Sequence, residues 1–254
     1  MIRNPAAIGF YPAEQAQLEL LLTELFSQAK KSGPFSHGIV PHAGLIYSGL
    51  AAAGFYKSFR KTDRLVILGT DHHGIGDDIV LHPYSSWKTP LGSVRVDSEL
   101  AAELDTLSPQ VYPCPNEHSI EVQLPFLQHA LGDFSFLPIT VPSLPFPRLQ
   151  ELGNKLAELG VPIIASSDMS HYVSEVKAEK LDKLAIEQIL AIKPEQLIDT
   201  VLENNISMCG LFPVAALLAA LPSSTKSELI EYYSSAEVTG DSSSVVGYAS
   251  IGFK

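Results

Sequence analysis

Two short runs, Arg64 to Leu68 (RLVIL) and Val161 to Ser166 (VPIIAS), show no alternation of polar and apolar side chains. A strand with one wet face places polar residues at every second position, so a run apolar on both faces must be covered from both sides. Helices packed on each face of a mainly parallel sheet provide that cover. The rest of the chain has the segments to do it: β-rich apolar runs alternate with helical patterns of roughly ten to fifteen residues, the rhythm of strand and crossover helix.

Helices are expected over Glu14–Lys31, Gly49–Phe59, Ser98–Leu107, Ser119–Leu131, Pro147–Leu159, Ser174–Ile192, Pro194–Asn204 and Cys209–Leu221. In the first of these, Leu18, Leu21, Leu22, Leu25 and Phe26 share one face, and Gly33–Pro34 stops the helix. Strands are expected over Gly38–Val40, Arg64–Leu68, Phe134–Val141 and Val161–Ser166, with an antiparallel pair Glu228–Val238 and Val245–Phe253 and a hairpin or meander from 79 to 97. RLVIL belongs at the sheet centre. Pro125 must kink its helix or occupy the first turn, since it lacks a donor and crowds the preceding turn. The only loose linker is Pro222–Ser227, so residues 1–254 are expected to form one α/β domain.

A formal charge of −11 and a pI near 5.1 oppose nucleic-acid binding, which draws its affinity from clustered Lys and Arg. The tightest basic group, Arg60, Lys61 and Arg64, reads as solvated loop charge. The longest apolar segment, Leu211–Leu221, contains Pro213 and falls short of the roughly 20 residues that span a bilayer, so no membrane is implied. Met1–Gln15 carries no secretory pattern, and two cysteines make no disulfide framework, so a reducing cytoplasm is the expected location.

Ligands of open α/β sheets bind beyond the carboxyl ends of the strands. Of eight histidines, His42, His72, His73 and His171 stand just after expected strands, and His118 opens a helix. Imidazole is the commonest protein metal ligand, so a metal site at this rim is one reading; scattered loop histidines are the other. Cys209 reads either as a helix-start thiol favoured as thiolate or as a small buried hydrophobe. Asp168 at the same rim could orient a ligand or act as a base, or simply cap a turn. Glu117 is a candidate beside His118, whereas Glu121 reads as structural. Cys114, His37, His82 and His129 receive no role. No Walker loop, G-x-G-x-x-G, H-E-x-x-H or G-x-S-x-G motif competes.

At these residues the sequence resembles the Memo-like family, which includes the bacterial proteins called AmmeMemoRadiSam system protein B. The matching segments are GFYP at 9–12, PHAGLIYSG at 41–49, LGTDHHG at 68–74, EHSIEVQLPFLQ at 117–128, SSDMSHY at 166–172 and CGLFP at 209–213, in family order. The resemblance implies a three-layer α/β/α fold with a mainly parallel or mixed sheet, similar to the LigB-like class III extradiol dioxygenases. It implies metal ligands at His42, His72 and Cys209, with His118, Asp168 and His171 lining the same pocket as catalytic groups. Non-haem iron or copper is the implied metal, and redox or oxygen chemistry on a small molecule or peptide the implied activity. A thiolate in place of the dioxygenase carboxylate favours softer metals and leaves ring cleavage unsupported. Two other functions follow from the resemblance alone: a peptide- or partner-binding module, and a modification step alongside a radical SAM enzyme.

Overall fold

A computed structural model describes all residues, 1–254. The chain begins β1 (Ile2–Arg3), α1 (Gln15–Gln28), β2 (His37–Val40), α2 (Leu45–Tyr56), β3 (Arg64–Thr70), β4 (Val80–Leu81), β5 (Ser86–Thr89), β6 (Gly92–Val96), α3 (Ser98–Glu103) and β7 (Gln110–Val111). It continues α4 (Gln123–Leu131), β8 (Ser135–Val141), α5 (Phe146–Leu159), β9 (Ile163–Ser166), β10 (His171–Val173), α6 (Glu175–Leu190) and α7 (Pro194–Glu203). It ends with α8 (Leu211–Ala220), β11 (Ser227–Ser234), α9 (Ala236–Thr239) and β12 (Val245–Phe253). The strands form one mixed sheet in the order β1-β5-β6-β8-β3-β9-β2-β12-β10, with β11 on β12 and β4 bridging β7 and β8.

Its centre, β6-β8-β3-β9-β2, is parallel throughout, and β3 lies in the middle as RLVIL requires. Successive side chains of these strands point to opposite faces and enter two separate cores. Val66, Leu68, Ile163, Ala165 and Ile39 meet α3 and α5–α8 on one side. Leu65, Ile67, Ile164 and Val40 meet α1, α2 and α4 on the other. The result is the three-layer α/β/α arrangement.

α8 is apolar all round because it is covered on all sides. Gly153 of α5 lets it approach: a Cβ there would lie 2.6 Å from the Cβ of Ala219. No helix is long and apolar enough to cross a membrane.

Several boundaries differ from expectation. α2 starts four residues before Gly49 because Phe10 O accepts the N–H of Leu45, satisfying a first-turn donor that the local sequence cannot. α4 starts at Gln123 and not Ser119, since the N–H groups of Gln123 and Leu124 bond three residues back, to Ile120 O and Glu121 O, and leave residues 119–122 in tight turns; Pro125 falls in the first turn. Residues after Ser234 leave the sheet for the single turn of α9, ended by Gly240 in the left-handed region at φ +72°. His171 lies on the short β10, paired with Val246 of β12, where a loop was expected.

Arg64 is no solvated loop charge. Its guanidinium forks onto Asp97 at 2.8 Å through both Nε and Nη2. Asp97 also accepts the N–H of Leu100 at the start of α3 and the Ser135 hydroxyl. Burial opposes ionisation here, yet these donors outweigh it and hold the carboxyl at about 2, below its usual 3.8. A depressed carboxyl contributes stability that is full above pH 3.8 and lost as pH falls towards 2. Asp97→Asn, which keeps the cap, is expected to cost about 1–2 kcal/mol at pH 7 after allowing for screening on the Arg64 side, and to flatten acid unfolding in that window. Denaturant titrations at pH 2.5 and 7 check it; an equal loss at both would contradict the assignment.

Candidate metal centre

Three neighbouring central strands end side by side, and each delivers a functional group two residues past its last position. β2 ends at Val40 and leads to His42; β3 ends at Thr70 and leads to His72; β9, between them, ends at Ser166 and leads to Asp168. The loop before α4 brings His118 over this rim. One ring nitrogen from each of His42, His72 and His118 lies within 4.8 Å of the other two. Cys209, in the turn before α8, borders this trio without belonging to it: its Sγ lies 3.3 Å from His42 Nε2 alone. Gly210 makes that approach feasible, because a Cβ there would lie 2.6 Å from Ser166 O.

Each ring is aimed by a partner. His42 Nδ1 lies 2.9 Å from the Ser166 hydroxyl, leaving Nε2 facing Cys209. His72 Nδ1 lies 3.0 Å from Glu117 Oε1. Glu117 is buried and also accepts the N–H groups of His72, His118 and Ser119, so one carboxylate positions two of the three imidazoles. His118 stacks on Phe10, centroids 4.3 Å apart, and on His72 at 4.6 Å.

Protonation differs from one donor to the next. Burial, reinforced by His72, lowers His42 to about 3, and burial with His42 lowers His118 to about 4, so both are neutral ligands at pH 7. Burial pulls His72 down too, but the hydrogen bond and charge of Glu117 prevail and raise it, while Glu117 is itself held well below the usual carboxylate range. Cys209 departs from the helix-dipole expectation. It sits one residue before Gly210, the residue that caps α8, and burial together with Asp168 pushes its thiol far up. Without a cation the sulfur keeps its proton, and metal binding would release it.

The remaining expected residues are placed as follows. Buried Asp168 accepts the backbone N–H of His42 at 2.8 Å and of Ala43 at 3.3 Å, so it fixes the turn carrying His42 and not the ring; burial raises its pKa. Its own N–H points at Cys209 Sγ, 3.3 Å away. His171 Nδ1 donates to Ser207 O at 2.9 Å, leaving Nε2 free. His73 turns outward to Asn116 O.

Sequence reasoning missed Phe10, Ser166 and Gln123. A glutamine inside the apolar stretch IEVQLPFLQ was the available signal, because a buried amide needs partners. It also missed the strap formed by the N-terminal segment. Arg3 is buried, pairs with Glu121 and donates to the carbonyls of Cys114, Pro115 and Glu117, with its guanidinium 4.0 Å from the Trp87 ring centroid. Glu121 in turn accepts from Ala6 N, Ala7 N and Tyr11 OH. This network anchors the loop carrying Glu117 and His118. Glu121 is structural, as its position suggested.

A profile of Memo-like proteins matches residues 3–252. Proteins described as MEMO1 family proteins align end to end. That of Methanopyrus kandleri is 36% identical over 100% of this chain and 99% of its own. That of Aquifex aeolicus is 36% identical over 97% of each, and that of Methanosarcina acetivorans 39% over 98% of each. Among solved structures, the uncharacterized Escherichia coli K12 protein JW3007 superposes with a TM-score of 0.60 at 13% identity, covering 85% of this chain and 98% of that one. At that identity the likeness shows a shared fold.

Proposed function

The chain belongs to the Memo-like family, and from that premise we propose that its rim binds a transition metal through His42, His72 and Cys209 and uses it for redox or oxygen chemistry. The observation that carries this reading is the convergence of three imidazoles within 4.8 Å with Cys209 Sγ at 3.3 Å from one of them. The donor set fits: two imidazoles and a soft sulfur suit iron(II) or copper, and outer partners already hold His42 and His72 by Nδ1. A redox-active ion so held supplies Lewis acidity and electron transfer to a bound small molecule.

The protein's own groups do the rest. His118, lowered to about 4, is unprotonated at neutral pH and able to accept a proton from a bound substrate. Phe10, stacked on His118, excludes water from that side of the ring. His171 presents Nε2 as a second acceptor, and Asp168 holds the turn that carries His42.

Protein loaded anaerobically with Co2+, as a spectroscopic probe, is expected to take up about one equivalent and to show a sulfur-to-metal charge-transfer band that Cys209→Ser abolishes. No uptake by the wild type would sink the reading. A wild-type spectrum that Cys209→Ser leaves unchanged would place His118 as third ligand in the sulfur's stead.

A further inference from the structure

Behind His42 lies a chain of buried polar groups that the chemistry above does not use. Ser166, Gln123 and Tyr56 are all essentially inaccessible to solvent. Tyr56 OH donates to Gln123 Oε1 at 2.8 Å, which orients the amide. Gln123 Nε2 then donates to Pro41 O at 3.0 Å and to Ser166 Oγ at 2.8 Å. Ser166 Oγ has two further neighbours, Ser119 O at 2.7 Å and His42 Nδ1 at 2.9 Å.

A hydroxyl has one hydrogen and two lone pairs. Of its three neighbours, the Ser119 carbonyl can only accept and the Gln123 amide nitrogen can only donate. The hydrogen therefore goes to Ser119 O, one lone pair to Gln123, and the remaining lone pair faces His42. The opposite arrangement would set two oxygen lone pairs against each other at 2.7 Å in a site with no water to relieve them.

We infer that the Tyr56–Gln123–Ser166 chain holds His42 in the Nδ1–H tautomer, so that Nε2 presents a bare lone pair beside Cys209 Sγ before any ligand arrives. Gln123 and Ser166 are thus positioning residues. This deepens the metal reading and rests on it for its purpose, but the tautomer itself is a property of the metal-free protein. The arrangement is preorganised because α2, α4 and β9 each contribute one member, and those elements are fixed by the cores on either face of the sheet.

Nitrogen NMR of metal-free protein labelled at histidine nitrogens tests it, with Co2+ affinity measured alongside. In the wild type, His42 is expected to show a protonated Nδ1 and a pyridine-type Nε2. Ser166→Ala is expected to mix the two tautomers and weaken Co2+ binding by about 10-fold or more. Gln123→Met should shift both readouts in the same direction but less, because Ser119 O still claims the serine hydrogen. A wild-type His42 protonated at Nε2, or a Ser166→Ala variant with an unmixed tautomer and unchanged affinity, overturns the inference. A wild type that shows the expected tautomer yet binds no Co2+ sinks the metal reading and leaves this one supported.

Discussion

His72→Ala is expected to leave the protein folded while its metal uptake drops from about one equivalent to under roughly a tenth. The ring is a quarter exposed, with 26% of its side-chain surface accessible, so its removal opens no sealed cavity. Glu117 would still accept the N–H groups of residues 72, 118 and 119, which keeps the loop in place. Glu117→Gln makes the informative contrast. The amide replaces one acceptor oxygen with an NH2 group facing N–H donors, so His72 loses its aim and the loop its anchor. That variant should bind metal about 10- to 100-fold more weakly and also melt earlier. Metal analysis with parallel thermal unfolding separates the two effects. An alanine variant at position 72 that retained full metal content would remove His72 from the ligand set.

The largest stability effect is expected at Glu121. Its pair with Arg3 is inaccessible to solvent on both sides, 1% and 0% of side-chain surface. Removing one member strands the other charge where water cannot reach it, a loss of about 3–5 kcal/mol. For a chain of this size that corresponds to a fall in Tm on the order of 10 °C. Glu121→Ala should show it in full, since Ala6 N, Ala7 N and the Tyr11 hydroxyl lose their acceptor as well. The double variant Arg3→Met, Glu121→Leu should recover part of the loss, because neither charge then remains buried. Calorimetry decides; a single-variant cost under about 1 kcal/mol would mean that water reaches the pair.

Much of the fold was legible because burial leaves a pattern along the chain. RLVIL and VPIIAS announced strands covered on both faces, and they occupy β3 and β9 at the middle of the sheet. The amphipathic spacing in Leu18 and Leu22 announced which side of α1 meets the core. The start of α2 failed where a distant group supplied the deciding hydrogen bond: Phe10 O drew it forward. That partner is beyond the reach of a local propensity argument.

The site divides the same way. Histidines following strands were visible as a class, and His42 and His72 carry their rings to one point with His118. Arg64 was misread because its partner Asp97 lies 33 residues away. Arg3 was silent, and Gln123 showed only as a polar residue in an apolar stretch, because a polar side chain in sequence does not disclose what it will face.

The sequence by itself determined the layered α/β arrangement, the acidic surface and the rim at which chemistry gathers, since hydrophobic periodicity and strand-to-loop position are local properties. Tertiary structure alone decided which nitrogen of His42 faces Cys209, that Asp168 grips a backbone turn, and that the N-terminal segment straps down the loop carrying His118. Hydrogen-bond direction depends on groups more than a hundred residues apart, from Arg3 to Glu121 and from His42 to Ser166, and only the folded sheet brings them within 3 Å.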